Sequence, residues 1–228
     1  MDYNKANKYE SKMGDRPMKQ VALTFDDGPC IGITDQVLEK LKKYQVVASF
    51  FVIGEQIKDS TKYLLQQAVE LGCDIQNHSN THPDFTKLTK EEMIEEVNVT
   101  TKKIYDSVGV NPTFFRPPYI SVNQMMFETI DLPFIVGFGA LDWEPQVPCS
   151  ERARRIIEQA CDGAIFLLHD MEHNQATVDA LDLIIPKLLE EGYEFVTVTD
   201  LFTQKQVTPK KNDYVMYTDI LHPNVFHI

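Results

Sequence analysis

From residue 19 to about residue 202, short apolar runs alternate with amphipathic stretches. The runs at 21–25, 48–53, 73–77, 113–115, 134–138, 164–168 and 195–198 are rich in Val, Ile, Leu and Phe, and predict buried strands. Between them, helical spacing of apolar positions predicts helices over 34–44, 61–71, 90–108, 123–130, 150–161 and 176–191. Thr34 and Ser150 suit N-caps, Thr89 with Glu92 matches a capping box, and Gly72 and Gly192 stand where helices stop. Pro186 is expected to kink or restart the last helix. About seven strands alternating with helices predict an α/β fold on a parallel sheet, open or closed into a barrel, in a single domain. Residues 1–18 and 203–228 fall outside the pattern, as an N-terminal and a C-terminal extension. The second carries Tyr214, Tyr217 and Phe226, which is too aromatic for a simple solvated tail.

Composition narrows the picture rather than redrawing it. The 228 residues are 43% hydrophobic and 25% charged, enough for one sizeable core. A net charge of -12 with interspersed signs argues against nucleic acid and anionic membrane surfaces as partners. No apolar run approaches the roughly 20 residues of a transmembrane helix. The polar stretch 1–20 lacks the apolar segment of a signal peptide, so the expectation is a cytosolic chain or one whose leader has been removed. Cys30, Cys73, Cys149 and Cys161 have no CxxC spacing and allow two disulfides or none. Oligomeric state is not legible.

The chemistry collects at one end of the predicted strands. Asp26 and Asp27 follow the first strand, His78 and His82 the third, Arg116 and Tyr119 the fourth, Asp142 and Trp143 the fifth, and His169 and Asp170 the sixth. Parallel α/β folds build their sites beyond these C-terminal ends, whereas residues without a shared function would scatter over both ends. Adjacent carboxylates repel, and a metal resolves this by binding one and leaving the other as a base. A pair of acids in a solvated turn is the plainer alternative. His78 and His82, four apart, would point the same way on a helical turn, although Pro83 disfavours helix at His82. With Asp27 they make a two-imidazole, one-carboxylate set that suits Zn²⁺ with a position left open, and equally non-haem Fe(II). Arg116 can pair with Asp26, the double proline Pro117-Pro118 can present the Tyr119 N–H at a fixed place, and His169 is a candidate proton donor or acceptor. His173, His222 and His227 have no such context.

Five stretches in this order, Thr24–Pro29, His78-Ser79-Asn80-Thr81-His82, Arg116–Tyr119, Asp142-Trp143 and Leu167-Leu168-His169, closely resemble the polysaccharide deacetylases, carbohydrate esterase family four. The resemblance covers about 19–202. It implies a distorted (β/α) barrel of about seven parallel strands and a metal-dependent hydrolase that removes N-acetyl groups from amino-sugar polymers such as peptidoglycan or chitooligosaccharide. It places a divalent metal, usually Zn with Co, Ni, Mn or Fe as alternatives, on Asp27, His78 and His82, with a water on that metal as nucleophile. Asp26 is then the general base, Arg116 orients it, the Tyr119 N–H stabilises the oxyanion, and His169 protonates the departing amine. Trp143, Leu167 and Pro118 line the substrate site. An extracellular or cell-surface setting follows from the same resemblance. Three positions depart from the pattern. Gly139 stands where an Asp is expected to orient His169, leaving Asp142 or Asp200 to substitute; Ile120 and Gln76 stand where Gly is common. Gly139 keeps two alternatives open, a non-catalytic glycan-binding member and an amidase acting on a small non-sugar substrate.

Overall fold

The computed structural model describes residues 18–225; residues 1–17 of the N-terminal extension, and Phe226 and His227, lie outside them. The strands are β1 (Lys19–Asp26), β2 (Ser49–Val52), β3 (Asp74–Asn77), β4 (Phe134–Ile135), β5 (Phe138–Gly139), β6 (Ile165–His169), β7 (Tyr193–Phe195), β8 (Val215–Tyr217) and β9 (Asn224–Val225). The helices are α1 (Thr34–Tyr44), α2 (Lys62–Glu70), α3 (Lys90–Val108), α4 (Gln124–Thr129), α5 (Cys149–Glu158), α6 (Gln175–Glu190) and α7 (Val198–Gln204). A six-stranded parallel sheet runs β3-β2-β1-β6-β5, with β7 on the first half of β1; a three-stranded sheet runs β4-β8-β9. Single bridges, Asn77 to Phe115, Phe115 to Phe134 and Ala164 to Asp219, join the two sheets where a regular barrel would have ladders.

Both faces of the central strands are buried, which is why β1, β2 and β6 read as continuous apolar runs. Helices α1, α2, α5 and α6 close one side through Val37, Leu41, Leu64, Ile156, Leu181 and Ile185. The predicted strand at 113–115 reduces to the isolated bridges of one residue, Phe115, because Pro112 and Pro117 bracket it. The run 134–138 splits into β4 and β5 at Gly137, whose φ of 102° only glycine adopts freely. The run 195–198 ends as strand at Phe195, and Thr197 caps α7 through its bond from the Asp200 N–H. The Thr89–Glu92 capping box forms as expected. Thr34 and Ser150 are not N-caps: Ile33 and Pro148 hold those positions, and the Thr34 hydroxyl serves the site instead. Helix α6 runs on through Pro186 rather than restarting, held by fully buried Ile184, Ile185 and Leu188 on either side. All four cysteines are free. Among the described residues, no helix is long and apolar enough to cross a membrane.

The aromatic C-terminal segment has a place in this architecture. Strand β8 pairs parallel to β4, Tyr217 is buried against Phe202, and Tyr214 packs on Phe127. Phe115 sits at the seam, its ring 5.2 Å from Phe85 and 5.4 Å from Phe134. Phe115→Ala is expected to cost about 3–5 kcal/mol through lost burial and the cavity left behind. Urea unfolding checks this, as a lower midpoint at unchanged slope; a loss below about 1 kcal/mol would show that the seam collapses around the hole.

Candidate active site

The predicted site residues converge beyond the C-terminal ends of β1, β3 and β6, around a cavity of about 490 Å³ lined by Asp26, Asp27, His78, His82, Pro117, Tyr119, Trp143, Leu167 and His169 among others. Asp26 ends β1 beside His169, its register partner on β6. Its Oδ1 accepts from Arg116 Nη1 at 2.5 Å, and Arg116 also donates to Thr24 Oγ1 at 2.8 Å. The guanidinium is fully buried, with its central carbon 4.1 Å from the centroid of the Phe51 ring. Burial pushes this cation's pKa down while Asp26 opposes the shift.

Asp27 turns away from the strand with φ of 75°, a left-handed conformation that Asp tolerates. Its Oδ1 is buried without a hydrogen-bond partner and lies 3.4 Å from His78 Nε2 and 3.5 Å from His82 Nε2. Ligand atoms of the three residues all lie within 4.8 Å of one another. His78 Nδ1 is 2.7 Å from the Arg116 carbonyl, which can only accept, so Nδ1 carries the proton and Nε2 offers its lone pair. An orphaned carboxylate oxygen converging on imidazole lone pairs is a donor set that a divalent cation fits. Burial pushes the Asp27 carboxyl up, but His78 and the other imidazoles outweigh it and hold it at about 2. Burial and the neighbouring His78 push the His82 imidazole down, which favours its neutral, ligating form.

The stretch from His78 to His82 is an irregular loop, the outcome that Pro83 favoured over a regular helical turn. Asn77 Oδ1 accepts from the Ser79 N–H and Ser79 Oγ from the His82 N–H, with φ of 68° at Ser79 and 58° at His82. Tyr119, also left-handed at φ of 59°, sets its ring edge-on against His82 with centroids 4.6 Å apart. Pro118 is buried and Pro117 forms the cavity wall in its place. Gln76 is buried beneath the site and binds the Thr113 and Phe114 N–H groups, so it shapes no rim.

On the far wall His169 Nδ1 is 2.8 Å from Asp142 Oδ1, while the His169 N–H donates to Asp142 Oδ2. Asp142 thus supplies the carboxylate that position 139 lacks. A Cβ at Gly139 would meet the Trp143 ring at 3.7 Å, not the imidazole. Asp200 lies on α7, away from the site. Burial pushes the His169 pKa down, but the Asp142 hydrogen bond and charge, helped by Asp26 and Asp27, raise it to about 9. A folded-state value above the free value of 6.5 stabilises the protein fully below pH 6.5, and that contribution is lost as pH rises through 9. Urea unfolding of chelator-treated protein is expected to show about 3 kcal/mol less stability above pH 9 than below pH 6.5 from this group. Asp142→Asn should flatten that dependence; an unchanged slope would contradict the pairing.

Several residues of the site had no role in the sequence reading, Asp170 having been placed after the sixth strand and Arg152, Asn174 and Thr177 not singled out. Asp170 is fully buried and accepts from Thr34 Oγ1 at 2.5 Å and the Gly28 N–H at 3.1 Å, pinning the turn that carries Asp27. A Cβ at Gly28 would fall 2.3 Å from Asp170 Oδ2, which makes glycine obligatory there. Burial pushes the Asp170 carboxyl up to about 7 against the Thr34 hydrogen bond. Its signal was its place directly after His169. Arg152, Asn174 and Thr177 are likewise buried behind Asp142; for Arg152 the signal was a cation on the apolar face of α5, beside Ala153 and Ile156.

A second cavity of about 520 Å³ shares Asp27 and His82 with the first and continues past Cys30, Glu55, Gln56 and Glu172. Asp27 and His82 therefore sit where the two cavities meet, with His78 facing the first.

Comparison with known proteins identifies the family. The polysaccharide deacetylase family model matches residues 13–131. The chain is 44% identical over 202 residues, 89% of its length, to a bifunctional xylanase/deacetylase of Pseudobutyrivibrio xylanivorans, and spans 33% of that protein. It is 37% identical over 82% of its length to the peptidoglycan-N-acetylglucosamine deacetylase PgdA of Listeria monocytogenes, and spans 40% of it. Among solved structures, a family 4 acetyl xylan esterase from Clostridium thermocellum, in complex with a cobalt ion, superposes with a TM-score of 0.86 at 40% identity, covering 88% of this chain and 98% of that one. With its fold, its motifs and these relatives in agreement, the chain belongs to the polysaccharide deacetylase family.

Proposed function

We propose that residues 19–202, with β8 supplied by the C-terminal extension, form the catalytic unit of a metal-dependent hydrolase that removes acetyl groups from a polysaccharide. The observation that carries this reading is the juxtaposition, in one groove, of the Asp27–His78–His82 cluster with the Arg116-held Asp26 on one side and the Asp142-held His169 on the other. Asp27, His78 and His82 would hold the cation. When bound, a zinc-like ion supplies positive charge that eases ionisation of water and polarises an acetyl carbonyl. The family leaves zinc, cobalt, nickel, manganese and iron as candidates, and the cobalt ion in the C. thermocellum relative makes cobalt a natural one to test.

The chain's own groups divide the proton work. Arg116 occupies Asp26 Oδ1, which leaves Oδ2, 3.7 Å from His78 Nε2, to take a proton from the attacking water. Tyr119 lines the cavity, and its N–H would serve as an oxyanion donor to the acetyl carbonyl. Asp142 fixes the proton on His169 Nδ1, so the imidazolium gives up its Nε2 proton to the departing sugar atom and is then restored from solvent. Trp143, Leu167 and Pro117 form an apolar wall for the acetyl methyl. With Asp142 in place, Gly139 no longer favours a non-catalytic member.

Ester and amide substrates present the same acetyl group, and each expels a sugar atom that needs a proton, the amide nitrogen more stringently than the ester oxygen. The relatives therefore guide the choice between them. Acetylated xylan comes first, on the 44% and 40% identities to the xylan-directed proteins. N-acetylated amino-sugar chains, peptidoglycan or chitooligosaccharide, are the second reading, on the 37% identity to PgdA. Either polymer places the protein at or outside the cell surface. Acetate release from acetylated xylan, N-acetylglucosamine oligomers, peptidoglycan and small acetamides tests this directly. The expected result is release from at least one polymer, fastest from acetylated xylan; release from small acetamides alone would favour the amidase alternative.

A further inference from the structure

We propose that Arg152 is a positioning residue for the proton donor His169, acting through Asn174 and Thr177 on Asp142. The inference rests on the reading of His169 as the group that protonates the leaving atom.

Arg152 lies on α5 with 2% of its surface exposed, and among the described residues no carboxylate hydrogen-bonds it directly. A buried guanidinium is costly unless its donors are satisfied. Here Nε donates to the Val147 carbonyl at 2.8 Å and Nη2 to the Glu144 carbonyl at 3.1 Å. Nη1 donates to Thr177 Oγ1 at 2.8 Å and to Asn174 Oδ1. Those two residues then face Asp142. Thr177 Oγ1 donates to Asp142 Oδ2 at 2.9 Å, and Asn174 Nδ2 donates to the same oxygen at 3.3 Å and to the His169 carbonyl at 2.8 Å.

The direction of each bond is what the cation sets. A guanidinium only donates, so Thr177 must accept from it, and its single hydroxyl proton is then free for Asp142. The Asn174 oxygen must likewise face Arg152, which turns the NH₂ toward Asp142. Without the cation, the threonine hydroxyl can rotate and the asparagine amide can flip, and either change presents Asp142 with a lone pair instead of a proton. Held from behind by two donors, Asp142 Oδ2 is fixed and Oδ1 stays on His169 Nδ1. The imidazole then keeps its Nε2 toward the cleft. Arg152 also ties down the carbonyls of the loop that carries Trp143, so a purely structural role is the alternative to separate.

Leaving-group dependence separates them. Acetylated xylan expels a sugar alkoxide that needs a proton, whereas 4-nitrophenyl acetate expels a phenolate that does not. Wild type, His169→Ala, Arg152→Met and Arg152→Lys are compared on both substrates, with metal content measured on each. Arg152→Met is expected to lower kcat on acetylated xylan about tenfold or more, with KM within about twofold and less than about twofold lost on 4-nitrophenyl acetate. Arg152→Lys should recover at least about threefold of that loss, because an ammonium also only donates. Equal losses on both substrates, a change confined to KM, or no rescue by lysine would overturn the proposal. Thr177→Val, which removes one relay and leaves the cation, covers a misfolded Arg152→Met: a selective loss on xylan supports the proposal and an equal loss on both substrates overturns it. If His169→Ala itself shows no selective loss, the acid role fails and the proposal falls with it.

Discussion

Replacing His78 by alanine is expected to abolish metal retention and to lower acetate release on the order of 10³-fold or more, since water activation and carbonyl polarisation fail together. The side chain is 2% exposed, and its orientation is set by the Arg116 carbonyl rather than by solvent. The same variant should lose the rise in unfolding temperature that added zinc or cobalt gives the parent protein, because an ion that binds only the folded state stabilises by mass action. A variant that still binds one metal tightly, by elemental analysis after gel filtration, would remove His78 from the ligand set. Stability in the absence of metal should fall by only about 1–3 kcal/mol, the cost of leaving a buried carbonyl unpaired.

Asp26→Asn is the second large effect, and it should separate chemistry from binding. Asparagine keeps an oxygen for Arg116 Nη1, so the buried guanidinium stays hydrogen-bonded and the fold survives. What disappears is the proton acceptor at Oδ2. A drop of about 10²–10⁴ in kcat is expected, with metal content unchanged and KM within a few fold. Asp26→Ala should instead be markedly destabilised, by about 3–5 kcal/mol, because it strands the Arg116 charge in the core. A loss below about tenfold in Asp26→Asn would assign the base to another group.

Much of this site was legible because its residues occupy strand ends, and strands buried on both faces announce themselves as uninterrupted apolar runs. The runs leading to Asp26 and His169 placed both carboxyl and imidazole correctly before any coordinates. What failed to show was whatever depends on loops and on layers behind the first. Spacing suggested a helical turn for His78 and His82, yet Asn77 and Ser79 side chains bend the chain into left-handed positions that no periodicity encodes. Gly139 looked like a missing carboxylate because linear distance to Trp143 stood in for spatial distance to His169. The loop after β5 instead swings Asp142 under the imidazole. Phe115 was read as part of a strand and contributes only isolated bridges, to Asn77 and Phe134, since flanking prolines deny it a ladder. Helix α7 was hidden by an apolar run short enough to suit either structure. Arg152, Asn174 and Thr177 come from two helices and a loop that meet only after folding, so a cation on the apolar face of α5 had no visible partner in the sequence.

The most direct test of the central claim is acetate release from acetylated xylan and from N-acetylglucosamine oligomers by one preparation, before chelation, after chelation, and after one equivalent of zinc or cobalt is restored. The account predicts release that disappears with the metal, returns with it, and does not return in Asp27→Ala. Release that persists undiminished in fully chelated protein, or returns equally in Asp27→Ala, would contradict it.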